Sequence, residues 1–340
     1  VNSSSLRIDY ARISTIAYFG VGADRSGNLR KQNANGSTST GWSGWTSARM
    51  TSIISAAHKS HTRVVLTVQA FGWTTSSMAS QRALLASPAA RSNLARQIAA
   101  AVRNRGADGV NLDFEPLAKG YERHFVALIR SIRTALNRYH TGYQITFDTT
   151  ASVGNYPVYA ATSKGAADAV FIMGYDFRSS GSGQVGSIAP YRRAGYDIND
   201  TLATYLHRVS ASKLILGVPY YGRAWSTATR SAHARNTSSS RSGASVSVTY
   251  DTAASFLAAK GRHYDTQEQV AWTAYKRENC TSTYGCYVSW RQLYVDDAQA
   301  IRAKYDLVNR LGLRGAGIWA LGYDGTRREL WNAIEAKFGR

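Results

Sequence analysis

The residues best suited to chemistry lie in the stretch 108–116, which reads D-G-V-N-L-D-F-E-P. If this stretch is a β-strand, its period of two sends Asn111, Asp113 and Glu115 to one face and apolar side chains to the other. A strand flanked by helical segments usually lies in a parallel sheet whose two faces are both covered. Burial raises the pKa of a carboxyl toward the range in which it donates protons near neutral pH. Glu115 is therefore the candidate general acid, and Pro116, which cannot donate to a ladder, predicts that the strand ends there. The local pattern alone leaves open a solvent-facing Asp-x-Glu on an edge strand.

The elements that must position these acids alternate between strand and helix. Apolar stripes predict helices at 47–58, 90–103 and 121–139. Besides the acidic stretch, runs rich in β-branched and aromatic residues predict strands at 13–19, 63–69, 144–149, 169–176, 213–221 and 315–321. Strands that alternate with helices pair in parallel, and at this length the closed solution is an eight-stranded TIM barrel, (β/α)8, within the α/β class. Seven strands are visible. The first strand lies either upstream of residue 1 or within residues 3–10.

Four motifs, taken in order, resemble glycoside hydrolase family 18, the chitinase family. The acidic stretch matches D-x-x-D-x-D-x-E, with Asn111 in the place of the middle Asp. Its residues are similar to those of the same motif in the cell-wall and spore-cortex branch of the family. The other three are M-G-Y-D at 173–176, G-V-P-Y-Y-G-R at 217–223, and G-A-G-I-W at 315–319. Residues 69–72 (Q-A-F-G) depart from the family's S-x-G-G, although Trp73 still follows them.

The resemblance implies a substrate-assisted retaining mechanism, which is an exception to the usual two-carboxylate scheme. Glu115 would protonate the leaving glycosidic oxygen, and the sugar's own 2-acetamido oxygen would attack the anomeric carbon. Asp113 would hold the acetamido N–H and stabilise the cationic intermediate. Tyr175 would donate to the acetamido oxygen, and Asp176 would support the sugar. The substrate-binding positions carried over are Asn111, Trp319, Met173, Tyr221, Arg223 and Trp73.

Asn111 is the departure from the family pattern that bears most on the chemistry. An Asp at this position can share a proton with Asp113, whereas a neutral amide removes a like-charge neighbour. Asp113 is then expected to ionise more readily, with activity retained. Trp42, Trp45 and Trp225 are either further sugar platforms or packing residues. His58 and His61 are interpreted as a helix end rather than as half of a metal site.

The alternation of predicted strands and helices is interrupted between the last two strands. Residues 226–247 are rich in Ser, Thr and Arg, and short strands at 247–250, 269–275 and 287–290 then surround a helix at 252–260. We expect a small α+β insertion at 226–286 within a barrel formed by 1–225 and 287–340. In one branch of the family such an insertion forms a wall of the substrate cleft; a long loop without a role is the alternative.

Composition narrows the class of protein. The 340 residues are 44% hydrophobic, and the formal net charge is +20. The basic residues are spread singly, so we expect no nucleic-acid partner; adhesion to an anionic surface or solubility explains the charge equally well. No apolar run is long enough to span a membrane. The only two cysteines, Cys280 and Cys286, lie in one polar loop, where a disulfide and therefore export are favoured over two free thiols.

The sequence predicts a secreted, monomeric hydrolase of β-1,4-linked N-acetylglucosamine polymers that needs no cofactor or metal. Chitin is the first substrate and peptidoglycan the second, because a basic surface suits an anionic wall. N-glycans also satisfy the requirement for an N-acetyl group. A non-catalytic sugar-binding relative is the alternative of another class, and the presence of Glu115 argues against it.

Overall fold

A computed structural model of the chain describes residues 6–339. Beyond the first eight residues, the chain forms two compact units. The first comprises Asp9–Ile172 and Tyr205–Ile215, and the second comprises Met173–Thr204 and the chain from Leu216 onward.

In chain order, the strands are β1 (Thr15–Gly22), β2 (Arg63–Gln69), β3 (Gly109–Asp113), β4 (Gln144–Thr150), β5 (Ala169–Met173), β6 (Leu214–Pro219), β7 (Tyr221–Thr227), β8 (Val246–Thr249), β9 (His263–Asp265), β10 (Val270–Thr281), β11 (Gly285–Val295) and β12 (Gly315–Trp319). The helices are α1 (Thr40–Thr46), α2 (Ala48–Lys59), α3 (Thr75–Ala86), α4 (Pro88–Arg105), α5 (Glu122–Asn137), α6 (Val158–Ala161), α7 (Ile198–Leu206), α8 (Tyr250–Lys260), α9 (Ala298–Arg310) and α10 (Glu329–Phe338).

Within the described residues, seven strands form one sheet in the order β1-β2-β3-β4-β5-β6-β12. The pairs β1·β2, β2·β3 and β3·β4 are parallel, and helices connect them as predicted. The β/α architecture predicted from the alternation is therefore confirmed for all seven visible strands. Of the alternative first strand at 3–10, the described part is not a strand, because residues 6–9 are irregular and Tyr10–Arg12 is a 3-10 turn. Residues 3–5 lie outside the described residues.

The helix faces that support the first unit follow the predicted apolar stripes. Helix α5 buries Phe125, Ile129, Ile132 and Leu136 completely, and α4 packs against it. Helix α2 buries Met50, Ile53, Ile54 and Ala57 in the same way. Burial of a large aliphatic or aromatic side chain stabilises the fold by roughly 1.5–3 kcal/mol, so these stripes hold the helices on the sheet.

The second unit contains a five-stranded antiparallel sheet in the order β8-β7-β11-β10-β9. Its hairpin β10–β11 ends in a disulfide between Cys280 and Cys286, which confirms the predicted bridge. The predicted insertion contributes β8, α8, β9 and β10 to this region, while its boundaries at 226 and 286 stay a prediction.

One prediction about a strand end is corrected here. The run 213–221 is not one strand: β6 ends at Pro219, and Tyr221 begins β7, which pairs with β8 and β11. Tyr221 and Arg223 therefore lie on the antiparallel sheet. Among residues 6–339, no helix combines the length and the apolar character needed to cross a bilayer.

Candidate active site

The acids of the first unit are positioned by strand β3, which is buried along its whole length. Its register places Asn111 beside Thr67 of β2 and Thr146 of β4, and Asp113 beside Gln69 of β2. Since side chains alternate along a strand, these residues form polar rows on one face of the sheet. Continuing the β3·β4 register by one residue sets Asp148 opposite Asp113. Strand β4 thus adds a third acid to the row that the sequence indicated.

Gly109 allows β3 to approach β4 closely. Its φ of +151° is a conformation that residues with a side chain rarely adopt, and a Cβ at this position would collide with the carbonyl oxygen of Gln144.

Asp108, the residue before Gly109, is structural: its carboxylate accepts from the backbone N–H of Val64 at 2.7 Å and pairs with His58 Nε2 at 2.8 Å. His58 lies in the last turn of α2, which is consistent with its interpretation as a helix end.

A hydrogen-bonded chain fixes the amide of Asn111. Its Oδ1 accepts from the hydroxyl of Thr146 at 2.7 Å, and its Nδ2 donates to Asp148 Oδ2 at 2.7 Å. All three side chains are buried. The amide therefore has one orientation, with its donor end toward Asp148.

Asp113 is the most buried acid of the row, with 2% of its surface exposed. Burial raises its pKa strongly, and the charges of Asp148 and Glu115 raise it further, as does a side-chain hydrogen bond to Glu115. Its Oδ1 accepts no hydrogen bond from any residue between 6 and 339. Burial also raises the pKa of Asp148, against the hydrogen bond from Asn111, which lowers it. Ionised carboxylates at such close quarters repel, so this site retains protons to higher pH than isolated acids do.

Glu115 lies two residues beyond the end of β3 and is half-buried. The sequence predicted a strand that continued to Pro116; the structure ends it at Asp113. The backbone around Glu115 is nevertheless held firmly. The hydroxyl of Tyr156 donates to the carbonyl of Phe114 at 2.8 Å, and the N–H of Gly72 donates to the carbonyl of Glu115 at 2.6 Å.

Gln81 of α3 adds a second hold on the same loop. Its Nε2 donates to the carbonyls of Ala70 at 2.6 Å and Pro116 at 3.1 Å, and its Oε1 accepts from the N–H of Ala118 at 2.8 Å. The side chain is 2% exposed, so each of these bonds satisfies a group with little access to water. Gln81 thereby ties the loop after β2 to the loop after β3.

The aromatic residues of the second unit form their own cluster. The hydroxyl of Tyr221 donates to Asp176 Oδ1 at 2.7 Å, and the Tyr175 ring lies edge-on to the Tyr221 ring at 6.1 Å. Burial and the Asp176 carboxylate keep the pKa of Tyr221 far above its usual value, so this hydroxyl remains a donor. Trp319, at the end of β12, packs against the same core as Tyr175. Met173 ends β5 and is half-buried.

The remaining candidate sugar-binding residues, Arg223 and the tryptophans, differ in their contacts and in their exposure. Arg223 donates to the hydroxyls of Ser245 and Ser247, both at 3.1 Å. Trp73 is 65% exposed and stacks on Phe71 with ring centroids 4.0 Å apart, so it offers an open aromatic face. Trp225 and Trp45 are completely buried, which makes them packing residues rather than sugar platforms. The substrate-binding and catalytic roles assigned from sequence to these positions stay predictions.

Two clusters among the described residues have the composition of a metal site. In the first, Glu278, Cys280 and Cys286, the two cysteines form the disulfide. The second comprises His233, Asp265 and Glu268. Their groups are already paired. Both oxygens of Glu268 accept from Arg178, at 2.7 and 2.9 Å, and Asp265 Oδ2 pairs with His233 Nε2 at 2.6 Å. We interpret this second cluster as an ion-pair network.

Sequence reasoning missed Asp148, Tyr156 and Gln81. For Asp148 a signal existed, because T-F-D-T-T on β4 alternates as the acidic stretch does. Tyr156 and Gln81 carry no comparable signal, since their roles depend on which loops the fold brings beside them.

In β/α barrel enzymes the catalytic groups lie at the carboxyl ends of the strands, and neighbouring acids at such an end suit the cleavage of glycosidic bonds. The chain belongs to the glycosyl hydrolases family 18, whose family model matches residues 8–324.

Similar proteins agree with this assignment. The chain is 34% identical over 147 residues to a Bacillus subtilis protein named "Putative sporulation-specific glycosylase YdhD"; the match covers 42% of this chain and 33% of the relative. The chain thus spans about a third of the length of that relative. A chitinase from Cycas revoluta, solved with (GlcNAc)4, has a TM-score of 0.78 at 18% identity and covers 98% of this chain and 94% of its own. The spore cortex-lytic enzyme SleL of Bacillus cereus has a TM-score of 0.71 at 16% identity, with coverage of 97% and 68%. These structures confirm the TIM-barrel fold.

Proposed function

We propose that the protein hydrolyses β-1,4 bonds of N-acetylglucosamine-containing polysaccharides by a substrate-assisted, retaining mechanism. The observation that carries the proposal is the row of acids at the end of β3, where Asp113 is 2% exposed and Glu115 follows two residues later, half-buried. Burial and the neighbouring carboxylates raise the pKa of Asp113, so this site retains a proton to higher pH than an isolated acid does. A proton held at the end of β3 is what protonation of a glycosidic oxygen requires.

In this mechanism Glu115 gives its proton to the leaving oxygen as the bond to the anomeric carbon breaks. The acetamido oxygen of the substrate forms the new bond to that carbon, so the protein supplies no nucleophile. Asp113, ionised at this stage, accepts from the acetamido N–H and offsets the positive charge of the intermediate. Glu115 then takes a proton from water, which opens the ring with retention. The roles proposed for Tyr175 and Asp176 follow the family resemblance.

Chitin-like polymers are the first substrate class, and peptidoglycan is the second. The similarity to a relative named as a sporulation-specific glycosylase favours peptidoglycan. The net charge of +20 is compatible with an anionic wall polymer and with a neutral one. The disulfide supports export, because such bridges persist in oxidising compartments. We expect a monomer.

Digestion of chitin oligosaccharides and of purified peptidoglycan by the wild type and by Glu115→Gln tests the proposal. We expect release of product from at least one polymer, and a rate about 10²–10⁴-fold lower in the variant, the usual contribution of a general acid. Glu122→Gln, at the start of α5 and only seven residues away, is the matched control and should retain the wild-type rate. No release from either polymer would favour a sugar-binding protein. Equal release by Glu115→Gln would refute the assigned acid.

A further inference from the structure

Asp148 is a buried acid to which the mechanism above gives no role. It lies on β4, is 9% exposed, and receives the amide N–H of Asn111 at 2.7 Å. The amide cannot turn round, because its oxygen already accepts from Thr146. Asp148 therefore faces a fixed donor that supports its ionised form.

Continuing the β3·β4 register by one residue sets Asp148 opposite Asp113 on the same face of the sheet, and both side chains are buried. Apart from burial, the charge of Asp148 is the largest cause of the raised pKa of Asp113, ahead of Glu115. Among the described residues, Tyr156 also interacts with both acids, and Tyr205 interacts with Tyr156. Tyr156 donates to the carbonyl of Phe114, and Tyr205 donates to the carbonyl of Thr150. Neither brings a positive charge. The groups that act on the pair are thus acids and neutral donors, and two buried acids in that setting do not both ionise near neutral pH.

We propose that Asp148 is the proton partner of Asp113: the two acids hold one proton in common across β3 and β4, and Asp148 takes it when Asp113 ionises beneath the substrate. In this step the O–H bond of Asp113 breaks and an O–H bond forms on Asp148, so the pair keeps a single negative charge throughout. Asn111, a neutral amide, orients Asp148 for this exchange. Asp148 is a positioning residue, since it acts on the substrate only through Asp113.

This inference rests on the proposed function for its catalytic consequence, but the shared proton is measurable without any substrate. Infrared difference spectroscopy of the carboxyl C=O stretch, followed as a function of pH, counts protonated buried acids. Three variants are informative: Asp148→Asn, the exchange Asn111→Asp/Asp148→Asn, and Thr146→Val. Asn at 148 can still accept from Asn111, so the first variant removes the charge and keeps the contact.

We expect the wild type to retain a protonated carboxyl at neutral pH that titrates in a separate step. Asp148→Asn should lose that step, and the exchange variant should regain it because an acid again stands beside Asp113. Thr146→Val removes the hydroxyl that donates to Asn111 but leaves Asp113 and Asp148 in place. This variant should therefore retain the separate titration step of the protonated carboxyl. In turnover, kcat of Asp148→Asn should fall about tenfold or more, because Asp113 then loses the group that takes its proton when it ionises. Its KM should change little, and the exchange variant should recover part of the rate.

An infrared titration of Asp148→Asn identical to that of the wild type would overturn the inference, even if the enzyme is active. Recovery of neither the step nor the rate by the exchange variant would also contradict it. If the wild type cleaves no polysaccharide while the infrared step behaves as expected, the proposed function fails and the shared proton stands.

Discussion

Asp113 and Asp148 are two acids that the fold holds away from water on neighbouring strands. Ordinary burial of a charge is unfavourable enough to shift its pKa or to require a partner. Here the sequence supplies an amide, Asn111, and a third acid, Glu115, and burial raises the pKa of both Asp113 and Asp148. The same arrangement lets an acid act near neutral pH and makes the fold sensitive to pH.

That sensitivity predicts a stability difference between the wild type and Asp148→Asn. A carboxyl whose pKa is raised in the folded state contributes stability that is complete below the unfolded pKa of about 4. This contribution is lost as pH rises toward the folded pKa. From pH 5 to pH 7 the wild type should therefore lose free energy of unfolding relative to the variant, by up to about 1.4 kcal/mol per pH unit for each proton retained.

Urea unfolding at pH 5, 6 and 7 measures this difference. Asp306→Asn, which removes an exposed carboxylate paired with Lys337, is the control and should run parallel to the wild type. Parallel curves for Asp148→Asn would mean that Asp148 is already ionised in the folded protein at pH 5.

At the scale of the element, the sequence predicted which side chains of β3 share a face of the sheet, but it did not predict where the strand ends. The alternation of Asn111 and Asp113 with apolar residues fixed which side chains share a face. Gln81 and Tyr156 donate hydrogen bonds to backbone carbonyls of the loop that follows Asp113. The end of the strand depends on these two residues, and the sequence of the acidic stretch does not indicate them. Likewise the run 213–221 reads as one strand because only Tyr220 separates β6 from β7. The change of sheet is set by pairing with β11 and not by local composition.

The close approach of β3 to β4 predicts that Gly109→Ala is severely destabilising. A Cβ would meet the carbonyl of Gln144, and the positive φ adds strain, so we expect a loss of roughly 3 kcal/mol or more of unfolding free energy. Gly106→Ala is the matched control. Gly106 also has a positive φ, of 60°, but nothing lies within 4 Å of its Cβ position, so about 1–2 kcal/mol is expected. Thermal or urea unfolding compares the two. Equal losses would show that β4 can shift to admit a side chain.

At the scale of the whole molecule, alternation of strands and helices was enough to indicate the β/α class, and the order of four motifs indicated the family. The eighth strand stayed unplaced, because residues 6–12 contain no strand and the preceding residues lie outside the described part of the chain. Substrate choice depends on a binding surface to which many elements contribute. The amino-acid composition gives only the net charge of the protein and not the shape of that surface. The excess of basic residues is compatible with an anionic wall polymer and with a neutral one.

The central claim is that the substrate carries its own nucleophile and that Glu115 supplies the proton. The most direct measurement compares initial rates on chitin oligosaccharides of one length, fully N-acetylated and fully de-N-acetylated, with the wild type and Glu115→Gln. The account predicts cleavage of the acetylated oligosaccharide alone, and only when Glu115 is present. Comparable cleavage of the de-N-acetylated oligosaccharide would contradict it, because the protein would then have to provide the nucleophile itself.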